Sequence, residues 1–268
     1  MGACKVGTHD GYYTQGNTKI NQVNTKNYVK KILIMENRAY ELLNMVQDSS
    51  PAEGMRALAG QYPGQIVFTT SFGIEDQVIT DMIFSNDINI EVITLDTGRL
   101  FKETYKVFSK TLEKYGRKIK TYFPDTAAVE KLLSEKGPYS FYESVENRKE
   151  CCHIRKVEPL NRALRGVKCW VTGIRSEQSA VRDELEMIET DHERRIYKYN
   201  PLLNWNLSEV EEYIKQNNVP YNVLHDRGYV SIGCEPCTRA IKPGEDFRAG
   251  RWWWESNSAK ECGLHENN

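Results

Sequence analysis

The chain has 268 residues, enough for one large domain or one domain with appendages. Hydrophobic residues make up 40%, charged residues 27%, and the formal net charge is −1, so no global charge is available to hold a nucleic acid or a membrane surface. No apolar run approaches the ~20 residues of a bilayer span, so an anionic partner must be met by a local group of basic side chains.

The opening "MGACKVGTHDGYYTQGNTKINQVNTK" lacks the apolar stretch of a signal peptide and implies a cytoplasmic protein. Rich in Gly, Asn, Thr and Gln, it reads as a flexible extension over residues 1–28. Residues 33–48 place Leu, Met and Val at helical spacing, and 51–60 give a second short helix. "QIVFTTSF" (65–72) is a buried strand entering a Ser-Phe-Gly turn, and "EDQVITDMIF" returns to helical spacing. "INIEVITLD" (88–96) is a second strand, followed by a long helix that ends at Gly116, a C′ glycine. "KIKTYFP" makes a third strand, and "TAAVEKLLSEKG" a helix with Thr126 as its N-cap.

A helical stretch around 144–165 precedes a fourth buried strand, "VKCWVTGI" (167–174). Residues 185–203 alternate like a hairpin, and "NLSEVEEYIKQNNV" is a helix opened by an Asn206/Glu209 capping box. Beyond Pro220 the pattern is loop-like. Strands alternating with helices of this length predict an α/β fold: a parallel sheet with helices on both faces, a loop-rich C-terminal segment and a mobile tail. The expected organisation is an extension (1–28), a single α/β domain (29–252) and the tail (253–268).

Ligands of open parallel sheets bind at the carboxyl ends of the strands. That rule gathers "TTSFGIED", "LDTGR" and "TGIRSEQSAVR", which offer hydroxyls, small residues and free amides where helices begin. Ser71, Gly73 and Asp76 come from the first segment, Leu95 and Thr97 from the second. Asp76 has a second reading, as a cap of its helix.

Cysteines stand at 4, 151, 152, 169, 234, 237 and 262. An odd number in a large chain without a secretion signal favours metal binding or catalysis over a disulfide framework. Cys151 and Cys152 are adjacent, and Cys234 and Cys237 form a Cys-x-x-Cys in a Gly/Pro-containing loop, the geometry of zinc and of iron–sulfur sites. Cys169, inside a strand, reads as a small buried hydrophobe. Cys262 lies in the polar ending "SNSAKECGLHENN", where a thiol has little to bury it and is a liability unless its reactivity is used.

Taken in order, "SFGIED", "LDTGRLF", "CCHIRKVEPL", "GIRSEQS", "GCEPCTR", "PGEDFRAGRWWWE" and "KECGLH" resemble the assimilatory adenylyl-sulfate (APS) reductases over about residues 65–265. The double cysteine, a gap of 81 residues and then Cys-x-x-Cys resemble the iron–sulfur branch of the PAPS/APS reductase family. The resemblance implies a three-layer, adenine nucleotide alpha-hydrolase-like fold and a 4Fe–4S cluster on Cys151, Cys152, Cys234 and Cys237. It implies APS as substrate, sulfite and AMP as products, and thioredoxin as electron donor. Cys262 would be the nucleophile and His265 a catalytic neighbour, while Lys156, Arg182, Arg248 and Arg251 would contact the phosphosulfate. Positive charge is what a thiolate needs to approach an anionic substrate. A homo-oligomer stays open. Three rivals are a reductase accepting both APS and PAPS, an ATP-pyrophosphatase (whose Ser-Gly-Gly-x-Asp-Ser loop is "SFGIED" here) and a zinc-stabilised nucleic-acid-binding protein, which the missing basic stripe disfavours.

Overall fold

The computed structural model describes residues 16–178 and 185–255, with side chains from residue 30 onward. The chain divides into two compact units, residues 1–38 and 39–268. Where it is described, the first unit is helical, and its helix α1 (Gly16–Val46) continues into the second. Residues 16–28, expected to be a loose extension, are therefore helical. Nothing in that stretch breaks a helix, and extending an existing helix is far easier than nucleating one.

The second unit opens with the end of α1 and with α2 (Pro51–Gln61). Helix α2 begins in a capping box, in which Ser50 Oγ accepts from Glu53 N and the Glu53 carboxylate accepts from Ser50 N at 2.9 Å. Then come β1 (Ile66–Thr70), α3 (Ile74–Ser85), β2 (Glu91–Leu95), α4 (Lys102–Tyr115), β3 (Lys120–Tyr122) and α5 (Thr126–Lys136). The N-cap of α5 is Asp125, not Thr126: Asp125 is extended (φ −60°, ψ 126°) and its carboxylate accepts from Ala128 N at 2.9 Å. The expected helical stretch around 144–165 is α6 (Val145–Cys152), one π-turn over His153–Val157, and α7 (Glu158–Ala163). Strand β4 (Cys169–Val171), the hairpin β5 (Ile188–Asp191) and β6 (Ile196–Tyr199), and α8 (Leu207–Gln216) complete the regular structure. Beyond α8 the described residues form loops with short 3-10 turns and isolated β-bridges.

The six strands of the described residues form one sheet in the order β3-β2-β1-β4-β6-β5, parallel except for the edge strand β5. Ile66 and Phe68 of β1 face a core built with the end of α1, α2, α3 and α8. Val67 faces the other way, onto Leu160 of α7, Leu164 and Trp170. This alternation packs apolar layers on both faces and gives the expected α/β/α arrangement. From β1 the chain winds outward through β2 and β3, then returns to lay β4 on the other side of β1. The reversal opens a crevice at the carboxyl ends of β1 and β4. No helix of the described residues is long and apolar enough to cross a membrane.

Candidate active site

That crevice is occupied by a cleft of about 230 Å³. Ser71, Gly73, Asp76, Leu95, Thr97, Lys156, Arg248 and Arg251 all line it, so every described residue expected at a substrate site is in one place. Arg182, Cys262 and His265 lie outside the described residues.

The β1 edge is shaped by strain. Phe72 takes a left-handed conformation (φ 61°) while its ring is buried against Phe108 at 4.8 Å, a conformation that costs a non-glycine residue ~1–2 kcal/mol. The kink ends β1 and starts α3 at its N-cap, Gly73. Asp76, in the first turn of α3, accepts from Ser71 N at 2.6 Å and from Ser71 Oγ at 2.7 Å. It ties the turn together, and the N-cap position belongs to Gly73. Burial pushes the Asp76 carboxyl up to about 6, against the pull of the two Ser71 bonds. Gly173, at the end of β4, makes room for it: a Cβ there would lie 2.1 Å from Asp76 Oδ1.

Two groups lining the cleft were not expected from sequence. Glu75 is held by buried Arg175 at 2.9 Å, and Arg175 also bonds Glu177 at 2.8 Å. His225 presents a buried Nε2 without a hydrogen-bond partner among the described residues, and burial holds its imidazole below the ordinary value. Arg175 does stand in the "GIRSEQS" segment, but its pairing with a residue 100 positions away leaves no local pattern.

The far wall comes from the C-terminal loops. Residues 234 and 100 form an isolated antiparallel bridge, and Glu235 N donates to Arg99 O at 2.8 Å, which lays the Cys-x-x-Cys loop beside "LDTGR". Arg251 stacks on the ring of Trp252 at 4.8 Å and lies against Gly233, where a Cβ would come 2.4 Å from the guanidinium. Among the described residues Arg251 has no carboxylate partner, whereas Arg239 is committed to Glu245 at 2.8 Å and 3.0 Å. Arg248 lies over the same Trp252 ring at 5.8 Å.

Cys151, Cys152, Cys234 and Cys237 are buried together with Phe141 and Trp252 around a second cavity of about 20 Å³. Arg99, Arg148, Arg155 and Lys156 also line it. Burial acts to raise the Cys234 thiol, but Lys156, the Thr97 hydroxyl at 3.3 Å, Arg251 and Arg155 together hold it below the ordinary value. Cys237, with burial and then Cys234 against it, is pushed up to about 12. Among the described residues no group of three or more His, Cys, Asp and Glu side chains converges on a single ion. The chemistry around the cavity suits a sulfur-rich group instead: four buried free thiols, surrounding cations, and a buried Arg155 Nε–H with no acceptor among the described residues. Cys169, fully buried in β4, has no part in it. Lys156 and Cys234 line both cavities, so the two sites share a wall.

Residues 65–240 match the family model described as phosphoadenosine phosphosulfate reductase domain. The chain is 52% identical over 213 residues to an adenosine 5′-phosphosulfate reductase of Burkholderia cepacia, covering 80% of this chain and 85% of that one. It is 50% identical over 200 residues to the enzyme of the same name from Neisseria meningitidis serogroup B, covering 74% and 81%. The crystal structure of a phosphoadenylyl-sulfate (PAPS) reductase from Candida auris, a phosphate complex, superposes with a TM-score of 0.65 at 33% identity, covering 76% of this chain and 96% of that one.

Proposed function

This chain belongs to the phosphoadenosine phosphosulfate reductase family, and from that premise we propose that it reduces APS to sulfite and AMP in sulfate assimilation. The observation that carries the reading is the shared wall: a nucleotide-sized crevice at the sheet's switch point ends in Lys156 and Cys234, which also bound the four-cysteine cavity.

The adenylyl group lies along the carboxyl ends of β1, β2 and β4, and the phosphosulfate points to the Lys156, Arg248 and Arg251 end. Arg182 adds a further cation there. These cations lower the repulsion between an attacking thiolate and an anionic substrate, which in a water-poor cleft is the largest obstacle to reaction. The Cys262 thiolate attacks the sulfuryl sulfur, the bond from sulfur to the bridging phosphate oxygen breaks, and AMP leaves with that electron pair. Cys262 then carries an S-sulfonate. His265, three residues on, supports the thiolate. One thiol of reduced thioredoxin attacks the Cys262 sulfur and expels sulfite; the second thiol closes the thioredoxin disulfide, supplying the two electrons. In a cytoplasmic enzyme, Cys262 takes part in both encounters.

Cys151, Cys152, Cys234 and Cys237 would hold a 4Fe–4S cluster. When bound, the cluster supplies a tether between two distant chain segments and a local charge beside Lys156. Lys156 faces both cavities, so its charge is tuned from the cysteine side while it orients the sulfate end of the substrate.

Incubating the protein with APS in the absence of thioredoxin tests the covalent step. One sulfonate adduct is expected on the peptide bearing Cys262, released as sulfite on adding reduced thioredoxin. The Cys262→Ser variant is expected to release no sulfite yet bind AMP within about threefold of the parent, under ~1 kcal/mol. An adduct on another cysteine, or turnover by Cys262→Ser, overturns the mechanism.

A further inference from the structure

Four aromatic rings run across the surface beside the cysteine cavity. Tyr139 stacks on Tyr142 at 6.2 Å, Tyr142 meets Trp254 edge-on at 4.3 Å, and Trp254 meets Trp253 edge-on at 5.7 Å. Tyr139 is 63% exposed and Trp253 48% exposed. Tyr142 is exposed as well, although its hydroxyl is anchored to Pro236 O, in the Cys-x-x-Cys loop, at 2.6 Å. The rings hold one another in place: Trp254, half-buried against the cysteine cluster, anchors the row, and Tyr139, Tyr142 and Trp253 stay open to solvent. Large rings already fixed before binding lose little entropy on contact, and they are the residue types concentrated where protein interfaces are tightest.

The position of the ribbon selects its occupant. Trp254 precedes Glu255, whose carboxylate is fixed by buried Arg148 at 2.9 Å and 3.0 Å. Cys262 follows seven residues later. Seven residues span at most ~25 Å, so a protein that touches the Cys262 sulfur meets this chain within ~25 Å of Glu255, and the aromatic surface lies within its reach. The segment that follows Glu255, "SNSAKECGLHENN", is a poor cover for four rings, since Leu264 is its one large apolar side chain.

We propose that the ribbon Tyr139–Tyr142–Trp254–Trp253 is the docking surface for the dithiol protein that reduces Cys262. The proposal rests on the reading of Cys262 given above. It separates the two half-reactions in space: sulfonate formation uses the cleft, and sulfonate release uses the aromatic surface.

The test is a Tyr139→Ser/Trp253→Ser double variant, both positions being exposed and outside the cleft. Three rates are measured: adduct formation with APS in a single turnover, sulfite release by reduced thioredoxin, and sulfite release by dithiothreitol. The proposal expects the first and third within twofold of the parent, and the second lowered at least tenfold in kcat/KM for thioredoxin. An unchanged thioredoxin rate overturns it, as does an equal fall with dithiothreitol, which would place the defect in the Cys262 segment itself. A parent dimer that becomes a monomer in the variant, by light scattering, assigns the surface to a second copy of the chain and also overturns it. Failure of the parent to form a Cys262 adduct removes the reading beneath the proposal, and the proposal with it.

Discussion

Asp76 combines complete burial with two hydrogen bonds from a single serine, and the burial wins: its carboxyl is pushed up to about 6. The folded protein thus holds this proton more tightly than the unfolded chain, where a carboxyl titrates near ~4. The resulting stability is fully present below pH ~4 and is lost as pH rises through about 6, an effect on the order of 2–3 kcal/mol. Asp76→Asn keeps an acceptor for Ser71 without the ionisation. Relative to the parent it should gain stability as pH rises from about 4 to about 6 in urea unfolding and hold that gain above; a difference that stays flat across that range contradicts the account. Arg99 carries a second prediction at this scale. Its guanidinium donates to Pro138 O at 2.6 Å and lies over Phe141 at 5.0 Å, on the cysteine side, and it does not line the cleft. The "LDTGR" edge therefore offers no cation to a 3′-phosphate, whose roughly two added charges are costly to desolvate unpaired. APS is expected to be reduced with at least a hundredfold higher kcat/KM than PAPS, and comparable efficiencies in a side-by-side sulfite assay would refute this.

Local chemistry made most elements readable, and its limits show at their ends. Asn206 and Glu209 form the capping box their spacing announced, with Asn206 N donating to Glu209 at 2.7 Å and Glu209 N to Asn206 at 3.0 Å. At α5, two adjacent residues could both cap, and only the backbone geometry of Asp125 decides between them. The π-turn after Cys152 leaves no mark in the periodicity of its residues. Contacts between elements were the least legible. Arg148 of α6 illustrates this: it pairs with Glu255, 107 residues away, with side-chain exposures of 2% and 8%, and stacks on Trp252 at 4.6 Å. Removing one member of a buried pair leaves a charge without its counter-ion, at a cost of ~3–5 kcal/mol. Glu255→Ala should therefore lower the unfolding free energy by about 3 kcal/mol in denaturant titration. A loss below about 1 kcal/mol would show that Trp252 and the cysteine side already compensate Arg148.

Over the whole molecule, the alternation of apolar strands and helices reveals the parallel sheet, and the strand-end rule then gathers most of the cleft from Ser71, Leu95 and their neighbours. The cysteine cavity was legible through the unusual spacing of two thiol pairs, but the wall it shares with the cleft was not, because Lys156 reaches both only through the fold. That arrangement separates the cysteines by role. Cys234→Ser should abolish iron incorporation and activity, whereas Cys169→Ala, removing a thiol that burial pushes up to about 12 in β4, should keep both. Iron and acid-labile sulfide analysis of the two purified variants decides the matter, and a fully loaded Cys234→Ser protein would defeat it. The strand order also has a meaning in time. During synthesis β1 must wait for β4, which arrives about a hundred residues later, before it has neighbours on both sides. Cys151 and Cys152 emerge before β4, but Cys234 and Cys237 emerge only after β6 has closed the central sheet. A nascent chain can thus own a finished sheet and only two of the four cavity thiols, so whatever the cavity holds must be delivered to a molecule that is otherwise nearly complete.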